Sequence, residues 1–344
     1  MHLDLGEPGQ DRPRADDDRY ASAAQRLSTW RHLGVLAPLR NSYFAYEMRY
    51  VSGDTVGRVR GLLCAMTLEP WGGTVLPHED VMPEPVADRL RLLRATRAQL
   101  SPVYGTIAGP CPSLNAALDL ASGEPPLFEV HDREGVTHSL WSLALDPTVE
   151  EELAPTSLLI ADGHHRYTTA LAYREERHAS DGPGPWDRIL TLLVDAGTQH
   201  VPVLPYHRLQ LRGAPPTGGQ PTPSLTSLLD HLDDTTLRYG TAVPGDDGPI
   251  YRLHDLPGQD PPTVRALHRA LLDRTAPGDA LRFTHEADEA DEAVRSGEVV
   301  AAYFLPPTSP ERILSAIAHG GRLPRKSTFF WPKPLSGMTL MPVD

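Results

Sequence analysis

The sequence predicts an α+β fold built on a mixed sheet, with inserted hairpins and a smaller C-terminal part of α/β-like pattern. Three observations carry this. Period-two segments bounded by turn residues recur in hairpin pairs. Amphipathic stretches with helix start and stop signals lie between them. A short apolar run then enters a helix directly after Ile160. The 344 residues, 40 % apolar and 22 % charged, suit a soluble globular chain of one large or two modest domains.

In order, residues 1–19 are polar and rich in Gly, Pro and Asp, and are expected to fray or to lie on the surface. Ala24, Leu27 and Trp30 at helical spacing predict a short helix over 20–33. Alternating aromatic and polar residues predict a strand over 42–50, a turn at Val51-Ser52-Gly53-Asp54 and a returning strand over 58–68. Pro85 in a first turn, the stripe Val86, Leu90 and Leu93, and Pro102 beyond the end predict a helix over 84–100. A strand over 101–107 and a helix over 113–121 follow. A second hairpin, 127–131 with 136–143, turns at Asp132-Arg133-Glu134-Gly135. The apolar run 157–161 leads into a helix over 164–177, and 188–195 and 201–204 read as strands.

The stretch 213–223 is dense in Gly and Pro, cannot hold a regular helix and predicts a linker. Residues 1–212 are therefore read as an N-terminal domain and 224–344 as a C-terminal α/β subdomain. The latter is expected to hold helices near 224–232, 263–274 and 286–296 and strands near 249–254, 280–285 and 298–304, with its Lys-Ser-Thr-Phe-Phe-Trp-Pro-Lys segment returning toward the site.

Formal net charge is −13, which disfavours binding to nucleic acid or anionic lipid but leaves room for a local basic pocket. The two cysteines, Cys64 and Cys111, form no Cys-x-x-Cys pair, so thiolate zinc chemistry is not expected. The start has no apolar h-region and no run is long enough to span a bilayer, so a cytoplasmic protein with reduced thiols is the expectation. Arg supplies most of the positive charge, and Ala, Leu, Gly and Pro abound, a usage associated with GC-rich bacteria.

The strongest chemical signal is Asp162-Gly163-His164-His165-Arg166, between an apolar strand and a helix whose inner face begins with Tyr167, Ala170 and Leu171. Gly163 permits a sharp turn. The polar groups crowd at a helix N-terminus, where amide groups and the helix dipole favour an anion. Arg166 can fork onto a phosphate, the histidines can donate to its oxygens, and Asp162 can hold a metal ion or orient a histidine. Asp before Gly can also simply cap the helix. Adjacent histidines on a helix diverge by about 100° and there is no His-Glu-x-x-His pattern, which argues against a dedicated zinc site. A second segment, Val75-Leu76-Pro77-His78-Glu79-Asp80, offers Glu79 as a general base or is a solvated acidic loop. A third, 325–333, mixes Arg325, Lys326 and Lys333 with Ser327, Thr328, Phe329, Phe330 and Trp331. It either lines an anion pocket with apolar walls or is a strand with lysines snorkelling outward. Pro205-Tyr206-His207-Arg208 is weaker and reads as core or surface.

Taken together and in this order, these segments resemble the DUF1015 family. The matching stretches are 41–50, His78-Glu79 with Asp88-Arg89-Leu90, Ser101-Pro102-Val103-Tyr104, the run from Ala161 to Leu171, Pro205-Tyr206-His207-Arg208, and the run from Lys326 to Lys333 with Ser336-Gly337. Family members usually begin with a further stretch holding a Pro-Pro-Tyr-Asp-like element. The resemblance implies that its contribution is missing here or that the start is atypical. More distantly, the Asp-Gly-His-His-Arg motif is similar to the nucleotide-binding motif of the ParB/sulfiredoxin superfamily, which includes free-serine kinases. That resemblance implies a ParB/sulfiredoxin-like core in which Gly163, His164, His165 and Arg166 hold nucleotide phosphates, with Asp162 and His165 in catalytic roles and Asp162 a metal ligand. It maps Glu79 to the upstream acid acting on a substrate hydroxyl, and Lys326 and Ser327 to further phosphate contacts. The implied function is a nucleotide-dependent phosphotransferase acting on a small, serine-like hydroxyl metabolite, with Mg²⁺ and ATP or ADP. The alternatives are a nucleotide-binding regulatory protein without transfer activity and a metal-assisted phosphoester hydrolase.

Overall fold

The computed structural model describes residues 16–39, 43–107, 109–258, 262–272 and 280–344. Residues 1–15 of the expected loose stretch 1–19, position 42 of the expected strand 42–50 and positions 273–274 of an expected helix lie outside them. The chain divides into two compact units, 1–77 with 81–200 and 332–344, and 78–80 with 201–331. Among the described residues no helix is long and apolar enough to cross a membrane.

The first unit is built on an eight-stranded sheet. Its strands are β1 (Tyr43–Ser52), β2 (Thr55–Thr67), β3 (Val75–Leu76), β5 (Val103–Ile107), β6 (Phe128–His131), β7 (Thr137–Leu143), β8 (Leu158–Asp162) and β9 (Arg188–Asp195), while the short β4 (Ala98–Gln99) lies outside it. Their order is β3-β8-β5-β9-β2-β1-β7-β6. The β3/β8 and β5/β9 pairs are parallel and the rest antiparallel, so the sheet is mixed as expected. Both expected hairpins form. In the first, Ser52 pairs with Thr55 across a two-residue loop in which Gly53 takes φ +57, a value that glycine adopts without a Cβ clash.

One large core contains Leu62, Val103, Leu114, Leu158, Ile160 and Tyr167. The helices Pro83–Thr96 and His164–Asp181 pack together, with Leu93 and Tyr173 meeting Trp186 and Val343. The N-terminal helix runs Asp16–His32, so it begins inside the stretch expected to be irregular. Tyr20, Ala23 and Leu27 seat it against Leu92 and Leu100. This burial outweighs a polar composition, as tertiary packing commonly does. Pro147–Leu153, which has no strong periodic signature, is also helical, with Asp146 accepting from the Thr148 N–H at 2.9 Å as its cap.

Close packing makes one glycine of β2 testable. A Cβ on Gly61 would sit 2.4 Å from the Leu193 carbonyl oxygen and 2.8 Å from Val194 Cγ2. The first of these is backbone of the paired strand β9 and cannot rotate away. Gly61→Ala is expected to lower stability by about 1–3 kcal/mol, read as a lower urea midpoint at unchanged slope.

The second unit carries β10 (Val203–Pro205), β11 (His207–Gln210), β12 (Gln220–Thr222), β13 (Arg238–Val243), β14 (Ile250–Asp255), β15 (Leu281–Thr284), β16 (Ala301–Phe304) and β17 (Thr328–Phe330). Six of them form an antiparallel sheet ordered β12-β14-β13-β16-β11-β15, and β10 pairs with β17. One apolar cluster gathers Leu209, Leu228, Ala242, Val294 and Phe304, and another gathers Tyr239, Val264, Leu267 and Tyr303. Helices Leu225–Leu229 and Ala287–Arg295 and strands β14, β15 and β16 lie near the expected positions, whereas β13 is not among the expected strands and pairs with β14 in an antiparallel hairpin with no helix between them. The stretch read as a linker, 213–223, contains β12, which pairs with β14 at the sheet edge. Pro221 is compatible with that place because an edge strand leaves one row of ladder positions unused.

Candidate functional site

The first unit builds its polar centre where β8 meets the next helix. Leu158, Leu159, Ile160 and Ala161 are buried in the sheet, and Asp162 ends the strand. Opposite, β5 shifts register between Tyr104 and Gly105, a local irregularity beside Asp162. Gly163 then takes φ +106, and a Cβ there would lie 3.2 Å from the Arg166 guanidinium and from Val103. Only glycine makes this turn without strain. Helix His164–Asp181 starts at once, its first bond running from the Tyr167 N–H to the Gly163 carbonyl at 2.8 Å.

Each motif side chain has a defined setting. His164 is buried and stacks on Trp71, the ring centroids 6.0 Å apart. His165 Nε2 accepts from the Met82 N–H at 3.2 Å, so a neutral ring carries its proton on Nδ1. Arg166 donates through Nη1 to Ser101 Oγ at 2.9 Å and to the Pro102 carbonyl, and through Nη2 to Asp162 Oδ2 at 2.5 Å. The other oxygen of Asp162 accepts from Lys333 Nζ at 2.6 Å. Burial pushes the Asp162 carboxyl up, but Arg166, Lys333 and His164 outweigh it and hold the group well below the usual carboxylate range. Asp162 is thus an anion clamped between two cations at a helix start.

Lys333 reaches this point from the C-terminal tail, which is stitched to the unit. The Leu335 N–H donates to Tyr46 Oη at 2.9 Å, Gly337 N–H to the Leu100 carbonyl, and Met341 and Pro342 pair with Gln99 and Ala98. The Asp132 carboxylate only accepts, so His138 donates its Nε2–H to Asp132 Oδ2 at 3.1 Å and its neutral ring accepts at Nδ1 from the Tyr46 O–H at 2.9 Å. Arg166 also borders a small, half-open cleft of about 60 Å³, walled by Leu92, Leu93, Val103, Ala170 and Ile189.

A family profile described as "Protein of unknown function (DUF1015)" matches residues 1–217. The chain belongs to the DUF1015 family. No curated protein compared with it matches. Among solved structures it is similar to a free serine kinase in complex with AMP, at 13 % identity over 80 % of this chain and 91 % of that chain, TM-score 0.42. It is also similar to a conserved hypothetical protein from Pyrococcus furiosus, at 12 % identity over 80 % and 94 %, TM-score 0.39. A third is SbnI with a C-terminal truncation from Staphylococcus aureus, at 12 % identity over 81 % and 87 %, TM-score 0.41.

Of the site residues expected in this DUF1015 chain, Asp162, Gly163, His164, His165 and Arg166 lie together in the first unit. Glu79, Lys326 and Ser327 lie together in the second. There, Glu79 Oε1 accepts from the Ser327 N–H at 2.9 Å and lies 3.8 Å from His78 Nε2, which meets Thr328 Oγ1 at 2.7 Å. Asp80 pairs with Arg322 at 3.0 Å. Lys326, at φ +56, places Nζ 5.0 Å from the Tyr206 ring centre.

From sequence, Lys333 stands only as part of the candidate anion-pocket segment 325–333, and neither it nor Ser101 is singled out for a role at the motif. The chain has two lysines, Lys326 and Lys333, both in the aromatic C-terminal segment, and the second is the partner of Asp162. The available signal was the motif's own acid, which needs a counter-charge.

Mg²⁺ does not fit Asp162 as it stands. Both carboxylate oxygens face cations, and among the described residues no three His, Cys, Asp or Glu side chains group to hold a metal ion.

Proposed function

We propose that the chain is a nucleotide-dependent phosphotransferase acting on a small hydroxyl metabolite, with a nucleotide phosphate received at the start of helix His164–Asp181. The observation that supports it is the convergence of Arg166 and Lys333 on Asp162 at that start, beside the positive-φ Gly163. Helix amides, a guanidinium and an ammonium in one place are what stabilising a phosphoryl group requires. In this reading Asp162 holds both cations ready and yields them to the incoming phosphate. His165 Nδ1–H is a further donor, and the less polar part of the nucleotide lies along the mostly apolar walls of the cleft bordered by Arg166.

A second reading, nucleotide binding without transfer, is favoured by one feature. The donors of Arg166 and the oxygens of Asp162 are already engaged within the protein, which suits a site that switches partners on binding. The two are separated by incubating the chain with ATP or ADP, Mg²⁺ and a panel of hydroxy amino acids, followed by mass spectrometry. A phosphorylated acceptor supports transfer. Nucleotide-dependent thermal stabilisation with no product from any acceptor supports the regulatory reading and removes the phosphotransferase.

A further inference from the structure

The second unit holds a buried cation that the proposal above leaves unused. On β11, Arg208 lies opposite Phe283 of β15 and Tyr303 of β16, and its side chain is fully buried. Its Nε–H donates to His268 Nε2 at 3.3 Å and its Nη1 to the Tyr206 carbonyl. Nη2 has no acceptor among the described residues. Burial pushes the guanidinium down to about 9, with Glu79 pulling the other way, so it stays charged at neutral pH. A buried, charged donor left unmatched is costly and calls for a partner.

The residues around it suggest which partner. The guanidinium carbons of Arg208 and Arg325 lie 5.3 Å and 5.5 Å from the Phe283 ring centre. Phe329 stacks on His285 at 4.0 Å, and Tyr206 meets Phe329 edge-on at 5.7 Å. Lys326 stands over Tyr206, its backbone in the left-handed region that a residue with a Cβ seldom occupies. The rings are half-buried, whereas Arg325 and Lys326 are exposed. Three cations are set among these rings, with Glu79 held on the Ser327 N–H at 2.9 Å and Glu286 3.1 Å from His285 Nε2 as the acids beside them.

We propose that this face of the second unit binds a small organic anion, a carboxylate or phosphate monoester. Its apolar part lies against Tyr206, Phe283 and Phe329, and its charge is met by Lys326 at the surface and by Arg208 from within. Aromatic walls with a few convergent charged donors are the usual make-up of such sites. All the residues named here belong to the second unit.

The test is calorimetric titration of the full chain with benzoate, phenyl phosphate and inorganic phosphate, in wild type, Lys326→Gln, Arg208→Gln and Lys333→Ala. Benzoate or phenyl phosphate is expected to bind better than inorganic phosphate, and the tighter of the two identifies the headgroup. Lys326→Gln is expected to weaken that binding about tenfold and Arg208→Gln by more, the scale of losing a charge-assisted hydrogen bond. Lys333→Ala separates the sites: it is expected to remove phosphate uptake at the first unit and to leave the Lys326-dependent binding unchanged. Should Arg208→Gln misfold, the exposed Lys326→Gln decides. No binding of either organic probe at millimolar concentration, an unchanged affinity in Lys326→Gln, or a loss confined to Lys333→Ala would each overturn the proposal. Only the last of these would point to the first unit, so failure here does not touch the phosphotransferase reading.

Discussion

Asp162→Asn is expected to destabilise the protein by roughly 2–3 kcal/mol and, at the same time, to tighten its hold on inorganic phosphate. The carboxylate ties down Arg166 and Lys333 together, at 2.5 Å and 2.6 Å. Removing one member of a fully buried ionic group costs about 3–5 kcal/mol. The loss here is smaller because the Lys333 side chain is 38 % exposed and partly screened by water. The amide cannot neutralise the two cations, so phosphate meets a stronger positive field and binds several-fold more tightly. Urea unfolding and a phosphate titration of the same variant read both effects. A midpoint that does not move would mean that the clamp contributes nothing to the fold. The pH dependence has a defined sign. The folded carboxyl lies below its unfolded value, so its contribution is present above the usual carboxylate range. It is lost as pH falls below about 4.

His207 is expected to dominate acid sensitivity at milder pH. Burial, then Arg208 and His285, push its ring from 6.5 down to about 3. Its Nδ1 accepts from the Leu305 N–H at 3.2 Å, and the ring packs beside Phe304 at 5.2 Å, so the folded state holds it neutral. The unfolded chain takes up a proton below pH 6.5 that the folded one refuses until about pH 3, so stability present above 6.5 falls steadily across that interval. Each pH unit is worth about 1.4 kcal/mol, giving a loss of up to roughly 4–5 kcal/mol by the lower end. His207→Asn keeps an acceptor for Leu305 but does not titrate. Urea midpoints at pH 7.5, 6.0 and 5.0 are expected to fall for the wild type and to stay nearly level for the variant. Parallel slopes would remove His207 as the cause. From pH 6.5 down to about 4 the His207 loss proceeds while the Asp162 contribution is still present, so the two effects separate there.

Much of the first unit was legible because its signals are local. The 51–54 turn, the paired hairpins and the strand running into Gly163 each rest on residues a few positions apart. The rest was hidden where distant contacts decide. β12 forms in a Gly- and Pro-rich stretch because an edge position asks little of its backbone. β13 carries Gly240, which weakens a strand pattern. A Cβ there would lie 2.6 Å from Leu228, so the glycine lets a helix approach the sheet. His78–Asp80 belongs with the second unit through the Leu323 N–H bond to His78 and the Ser327 bond to Glu79, pairings far apart in sequence. Lys333 meets Asp162 across 171 positions. Spacing rules read one element at a time, and none of these contacts lies within one.

The claim on which the functional account depends is that the beginning of helix His164–Asp181 takes up a phosphate. Its most direct measurement is the calorimetric affinity for ADP of the wild type and of His165→Ala/Arg166→Ala, with circular dichroism to verify folding. Loss of a guanidinium fork and an imidazole donor predicts at least about a thirtyfold weaker Kd in a folded variant. An unchanged Kd in that folded variant would contradict the claim.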